Sequence, residues 1–535
     1  MAMRRAVLFS CLLLCVSHAT GLAESPGETT VSEIIAKLQL PLAVTQRPIW
    51  PAPPGKSVTI TLLPQVDLTG QCLVSLGLPF GPGWVVDDAR IRVTDAHGHE
   101  LPAYTRPLAR WWSEGKGDSL RSVLVQFEHE FAGRAPCSVT VTWDQPRTKR
   151  RNREVAVADT QIELRHEPPA RPERYLAFGY RVPRVLSLLP ADWLCASLLA
   201  WQQVPAARNT VAPWFEQHLA ASFPGSLPHL SARDYSAHLF DRPATYLKLY
   251  VRSGEAQHLV AGLQAVDFYL QHLGEDGFFN LKPEHDVKYV FTESFALAYL
   301  LTGEPRLLAG VERALKAWET HTRIEYRGEG FWTERHHGFG MLAYLHAYEV
   351  TGNRAHLEKA TRYFAAAWSL QTRPLHGGGP DGGWLHTSQS HSERGDTWVT
   401  SPWMSAFLVD AIWKYWMLTG DARAPASLAM YARFTLRHSL SPDGKTLVYM
   451  ASPPGRGEPR PEPGGAHNME GCYLLALGHY LTQGREPGFL PALAHLWPAM
   501  LSQDPNSTAR MFTWRFRETS MLVWFLQHAP APGGQ

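Results

Sequence analysis

The segment TERHHGFGML, residues 333–342, places Arg335, His336 and His337 directly ahead of an apolar run that reads as a buried helix. A helix start carries the positive end of the backbone dipole, so cations gathered there lack the ordinary electrostatic reason. Their chemistry supplies another. A guanidinium grips a carboxylate through two parallel hydrogen bonds, and an imidazole exchanges protons near neutral pH. Joined by a tyrosine hydroxyl, these groups meet the needs of β-elimination from a uronate: a neutralised carboxylate, a base for the C5 proton and an acid for the leaving oxygen. Arg335, Arg394 and Arg515 are candidates for the first task, His336 and His337 for the second, Tyr289 and Tyr235 for the third. A second set, Glu293, Asp396, Glu470 and Asp241, could instead provide the carboxyl pair of a glycoside hydrolase. That pair stands about 5–5.5 Å apart for retention and about 6.5–9.5 Å apart for inversion.

The elements that would position these groups announce themselves by repetition. LYVRSGE, YLLTGEP, YEVTGNR, YWMLTGDAR and YLTQGRE each follow a long apolar stretch, and Gly254, Gly303, Gly352, Gly420 and Gly484 are 49, 49, 68 and 64 residues apart. Glycine just past an apolar helix stops it by taking the left-handed conformation. The spacing predicts one helical hairpin repeated, with a last helix at RETSMLVWFLQH bringing the total to about six pairs. That count predicts an all-α, (α/α)6-type toroid over residues 231–530, with the inner helices starting around one mouth. Those starts carry Tyr235 and Arg242, then Tyr289 and Glu293, then Trp332 with the 335–337 group. The later ones carry Arg394, Asp396, Trp398 and Trp403, then His467 and Asn468, then Trp514 and Arg515. The helix bodies are apolar, so the rim is the main functional signal. A plain dipole effect accounts for the acids there but not for the cations. The 19 Trp and 18 Tyr suit a cleft for sugar rings, whose C–H faces stack on aromatic rings, although core packing uses the same residues. Two insertions, PLHGGGPDGGW and SPPGRGEPRPEPGGAHN, lie beside the fourth and fifth starts as candidate lids.

Residues 40–170 read differently. SVTITL, CLVSLGLPF, ARIRVTDAHG, SVLVQFEHEF, CSVTVTW and TQIELRH are short β-branched runs between turn residues, which predicts an all-β N-terminal domain, sandwich or barrel. Residues 171–230 read as a linker with connecting helices. Cys72 and Cys137 both lie in strand-like runs and are candidates for a disulfide. The basic loop RTKRRNREV reads as a solvated hairpin tip.

Within the β half, Gly77-Leu78-Pro79-Phe80, the Asp95 to Gly98 turn and a Trp followed by Asp118-Ser119-Leu120-Arg121-Ser122-Val123 resemble the first domain of the exo-acting rhamnogalacturonan lyase family. The resemblance implies a toroid after the β domain and a rhamnogalacturonan-like substrate. It covers about the first third of the chain in detail and the remainder only as architecture. WWSEGKGDSL is longer than the family's arrangement, and no further β domain is expected after the toroid, so no catalytic residue is carried over.

Residues 1–23 read as a secretory signal, with Arg4 and Arg5, an apolar stretch and small residues near Ala19 and Ala23, which implies a secreted or periplasmic protein. The net charge of +2 falls to zero without Arg4 and Arg5, which points away from nucleic acid and from an anionic membrane as partner. No zinc spacing, phosphate loop or nucleophile elbow is present, so no cofactor is expected; calcium on loop carboxylates remains compatible. Three readings stay open: a polysaccharide lyase, a glycoside hydrolase on the same mouth and a non-catalytic saccharide-binding protein.

Overall fold

The computed structural model describes residues 30–113, 117–167, 178–227, 235–321, 323–392, 395–461, 465–501 and 509–530. After helix α1 (Val31–Leu38) come β1 (Ser57–Pro64), β2 (Leu68–Pro79), β3 (Arg92–Thr94), β4 (Glu100–Leu101), β5 (Ala103–Arg110), β6 (Leu120–Gly133), β7 (Cys137–Thr142), β8 (Gln161–His166), β9 (Phe178–Pro183) and β10 (Val185–Leu188). They form small open sheets ordered β10-β1-β7-β3-β4, β2-β6-β5 and β8-β9, and none of these closes into a barrel. Along the first half of β1 burial alternates residue by residue, as a one-faced strand requires. The last six residues of β2 and the first eight of β6 are buried without alternation, because helices cover their second face. Cys72 lies on β2 opposite His129, whereas Cys137 lies on β7 opposite Leu62. The two thiols stand in different sheets and both are free, which corrects the disulfide expectation.

Helices α2 (Ala191–Ala196) and α3 (Pro213–Ser226) lead into five hairpins. These are α4 and α5 (Arg242–Ser253, Ala256–Gln271), α6 and α7 (Glu293–Thr302, Pro305–Thr320), α8 and α9 (Glu334–Thr351, Arg354–Thr372), α10 and α11 (Pro402–Thr419, Arg423–His438), and α12 and α13 (Asn468–Thr482, Phe489–Leu501). Gly254, Gly303, Gly352 and Gly420 cap α4, α6, α8 and α10 with φ between 68° and 71°, and α12 ends on left-handed Gln483 just before Gly484. The first helix of each hairpin is almost entirely buried, while its partner buries one stripe, as Leu307, Val311, Ala314, Leu315 and Trp318 do on α7. The inner helices neighbour one another in sequence order, and α14 (Ala509–Phe516) returns to α4 and α3 to complete the ring.

The expected last helix is broken: after α14 comes a 3-10 turn at Glu518–Met521 and then α15 (Leu522–Gln527). The cause lies on α4. Lys248 Nζ donates to the Arg517 carbonyl at 3.0 Å and Arg252 donates to the Ser520 carbonyl at 3.3 Å, taking acceptors a continuous helix would use itself.

The β sheets dock on the end of the ring where the inner helices finish. Ser122 Oγ donates to the Leu300 carbonyl at 2.6 Å, and Arg121 pairs with Glu349 of α8 at 3.0 Å while lying over Trp111 and Trp201. The GLPF and DSLRSV phrases are therefore docking residues. The buried segment 198–204 fills the same end, with Leu198 and Trp201 both at positive φ and Gln202 accepting from Trp413 Nε1 at 2.8 Å. A Cβ at Gly77 would meet the Leu300 carbonyl oxygen at 2.2 Å. Gly77→Ala is expected to cost about 1–3 kcal/mol of stability, read by urea denaturation, since backbone must move on both sides. An unchanged midpoint would remove this docking argument.

Candidate functional site

The starts of the inner helices converge at the opposite end. Arg335, second residue of α8, lies over the rings of Phe240 at 5.8 Å and Trp403 at 5.5 Å. Trp403, at the start of α10, stacks flat on His467 with centroids 4.3 Å apart and planes 2° apart. Trp514 of α14 closes the group, 5.5 Å from Trp403, 5.0 Å from His467 and 5.4 Å from Phe240. On the near side Tyr235 packs edge-on against Tyr289 at 5.5 Å. Tyr235, Tyr289, Arg335, Trp403, His467 and Trp514 thus belong to one mouth, drawn from six separate chain segments.

The electrostatics and hydrogen bonding of this group single out three members. Arg335 is 9% exposed, yet its guanidinium makes no hydrogen bond or ion pair among the described residues, and its Nε is sealed without an acceptor. Burial pushes its pKa down to about 10, against opposing pulls from Tyr449 and Asp286, so it stays charged at neutral pH. A buried cation without a carboxylate is costly, and an anionic ligand would relieve it. His467 is the second. Its Nδ1 meets Glu470 Oε1 at 3.1 Å, which fixes the ring, while Nε2 has no hydrogen-bond partner among the described residues. Tyr289 likewise has a hydroxyl without a partner there, and burial raises its pKa to about 12 while Arg510 and Arg335 oppose the rise.

The other expected site residues lie elsewhere. His337 turns outward to α9, donating from Nε2 to the Tyr363 carbonyl at 2.7 Å. His336 is held by Thr333 Oγ1 at 2.7 Å and faces Asp286 Oδ1 at 3.8 Å. Burial lowers both pKa values to about 4, so the helix start that seemed to carry three cations carries one. Thr333 caps that start through the His336 amide, and Glu334 next to it accepts from His386, the Thr400 hydroxyl and the Ser401 amide. Trp332 packs under Tyr326, His337 and His386. Arg242 is anchored to the Tyr246 hydroxyl and the Ser226 carbonyl, and Arg515, in the last turn of α14 rather than at its start, reaches His218 at 3.3 Å. Asn468 spends its side chain on the backbone of Lys445, Leu447 and Leu496. Trp398 is on the short pair β11 and β12 (His386–Thr387, Trp398–Val399), against His376. Asp396 is exposed on the loop between those strands, and Arg394 lies outside the described residues.

Glu293 is misplaced by depth. Its helix begins late, so the carboxylate sits beside His346, eleven residues along α8 from Arg335, roughly 16 Å at 1.5 Å per residue. There it meets Lys248 at 3.1 Å, Lys414 at 3.3 Å and Arg517 at 2.6 Å, and Arg517 also holds Asp410 at 3.2 Å. Burial opposes ionisation, but the three cations outweigh it and hold the carboxyl well below its usual range. Phe240, Phe339 and Phe407 separate this network from the mouth, with Arg517 beneath Phe339 at 5.7 Å. Sequence reasoning missed Phe240, Tyr449 and Arg510. The first stands at φ 71° just before α4, a strain that no pattern reveals, and Tyr449 reaches the mouth from a loop. Among the described residues no cluster of three or more His, Cys, Asp or Glu is arranged to hold a metal, and no helix is long and apolar enough to cross a membrane.

No protein-family model matches the chain, and no curated protein matches it. Solved structures do. A family 88 glycosyl hydrolase from Bacteroides vulgatus aligns at 12% identity and TM-score 0.43, covering 59% of this chain and 99% of its own. A polysaccharide lyase aligns at 13% and 0.42, covering 60% and 100%, and a cellobiose 2-epimerase from Bacillus thermoamylovorans at 12% and 0.40, covering 54% and 87%. Likeness at this level assigns neither family nor activity.

The neutral buried histidines make stability depend on pH. His336 and His337 protonate near 6.5 when unfolded but near 4 when folded, so the unfolded chain binds more protons between these values. Each should remove up to about 1.4 kcal/mol per pH unit as pH falls from 6.5 toward 4. His386 has the opposite sign: burial opposes its charge, yet Glu334 raises its pKa, so its contribution is present below 6.5 and lost as pH rises through the folded value. The urea midpoint is expected to fall between pH 7 and 5, less steeply in His337→Gln; a flat profile would contradict the burial assigned to these rings.

Proposed function

We propose that the protein is a carbohydrate-active enzyme whose mouth holds a uronate, and that it cleaves a uronate-containing glycan by β-elimination. The observation that carries this reading is the buried, charged and unpartnered Arg335 beside the unpartnered Nε2 of His467. In this reading Arg335 pairs with the substrate carboxylate and so makes the C5 proton removable. His467 Nε2 takes that proton, with the resulting imidazolium steadied by Glu470 at Nδ1. The C5 electron pair forms the C4–C5 double bond as the C4–O bond breaks, and the Tyr289 hydroxyl donates a proton to the leaving oxygen. Solvent then accepts the extra proton from His467 and returns one to Tyr289, which restores both residues. The base is thus His467 rather than His336 or His337, whose rings are committed to Thr333, Asp286 and Tyr363.

The resemblance of the first third of the chain makes a rhamnogalacturonan the first substrate to try, and the signal-like first 23 residues make the proposed setting secreted or periplasmic. Hydrolysis is the second reading, favoured by the two fully buried carboxyls of Glu470 and Glu518 near the mouth. Incubation with uronate-containing glycans, with and without calcium, should raise ultraviolet absorbance from unsaturated products. His467→Ala should lower the rate about 10²–10⁴-fold, Arg335→Lys should lower it strongly, and His337→Gln should leave it within a few-fold. New reducing ends without absorbance would select hydrolysis, and loss in His337→Gln with retention in His467→Ala would reject this assignment of the base.

A further inference from the structure

Close to Glu470, the partner of His467, lies a carboxyl that the proposed elimination does not use. Glu518, first residue of the 3-10 turn after α14, is fully buried, and neither of its oxygens has a hydrogen-bond donor. Arg517 beside it makes no hydrogen bond to it: its terminal nitrogens donate to Glu293 and Asp410, and its Nε has no acceptor. Glu470 on the neighbouring α12 is fully buried as well. Its Oε1 is taken by His467 and its Oε2 has no donor. Glu470 Oε2 and both Glu518 oxygens are thus buried acceptors without a donor, on two elements that pack together. A carboxyl buried without a donor favours its neutral form, and a proton on Glu518 would supply the donor that Glu470 Oε2 lacks.

We propose that Glu518 is a carboxylic acid at neutral pH and donates its proton as a hydrogen bond to Glu470, forming a line Glu518–Glu470–His467 that holds Nε2 toward the mouth as an acceptor. Burial, and next to it the negative charge of Glu470, push the Glu518 pKa well above the carboxylate range, against Arg517. The other groups facing it are Asp410 on α10, which adds to the rise, and the unpartnered Tyr473 hydroxyl on α12. Glu518 is a positioning residue: it touches no substrate and acts through Glu470, whose charge it leaves intact while removing a competing one. The role in elimination rests on the proposed function; the proton itself does not.

Infrared spectroscopy of the full chain reads that proton without any substrate. At pH 8 Asp241, whose pKa burial raises only to about 6, is ionised and does not contribute a carboxylic acid band. The expected result is a carbonyl stretch of a buried carboxylic acid at pH 8 that shifts on 13C labelling of glutamate and is lost in Glu518→Gln. Because Gln keeps a donor for Glu470, Glu518→Gln should retain His467 ring resonances close to those of the parent, whereas Glu518→Ala should shift them. Absence of the band from the unsubstituted protein, or its persistence in a folded Glu518→Gln, would overturn the assignment. A band present in a protein that eliminates no glycan would leave the proton in place and reject only the lyase reading.

Discussion

Glu293 is the residue on which the ring converges. One carboxylate, on the late-starting α6, binds Lys248 of α4, Lys414 of α10 and Arg517 beyond α14, and so ties four segments of the inner wall together. A carboxylate so buried survives only with several cations, and those cations need it equally; removing either side strands charge at a cost of about 3–5 kcal/mol. Lys248, drawn inward to this network, also takes the carbonyl that breaks the last helix. The turn made by that break is where Glu518 sits.

Arg517 and Arg335 show how partners decide what a guanidinium is for. Both lie against the layer of Phe240, Phe339 and Phe407, one over Phe339 and Phe407 and the other over Phe240. Arg517 spends its terminal nitrogens on two carboxylates and its pKa is raised, burial notwithstanding; it is part of the frame. Arg335 has no carboxylate among the described residues, and in the proposed reading its charge is left for a ligand that enters the mouth. The histidines differ in burial of the free nitrogen. His337 is bonded at Nε2 and its Nδ1 is sealed in the interior, His336 is held by Thr333 and faces Asp286, whereas the unpartnered Nε2 of His467 is not sealed.

Much of the architecture was legible. The repeating glycine phrases marked the helix ends because a left-handed residue is the simplest stop, and the apolar bodies of the same helices marked the inner wall. The convergence of helix starts followed from the repeat, and Tyr235, Tyr289, Arg335, Trp403, His467 and Trp514 lie together in the structure. What the sequence could not disclose was rotation and depth. Two neighbours on one helix, Arg335 and His337, face inward and outward respectively, and Glu293 begins its helix a long way below the rim. Trp403 was legible as a rim residue, but not that its ring already stacks on His467 and lies under Arg335. Arg242 and Arg515 looked like ligand-binding cations and are anchored to α3, a partner no spacing rule connects to them.

The central claim is that Arg335 is a charge kept open for a carboxylate. Titration calorimetry of the full chain, with an oligosaccharide ending in a uronate and with the same oligosaccharide carrying a reduced, neutral terminal sugar, tests it directly. The account predicts that the uronate form binds at least about tenfold tighter, a difference of about 1.4 kcal/mol, and that Arg335→Ala abolishes the preference. Equal binding of the two sugars, or a preference that survives Arg335→Ala, would contradict it.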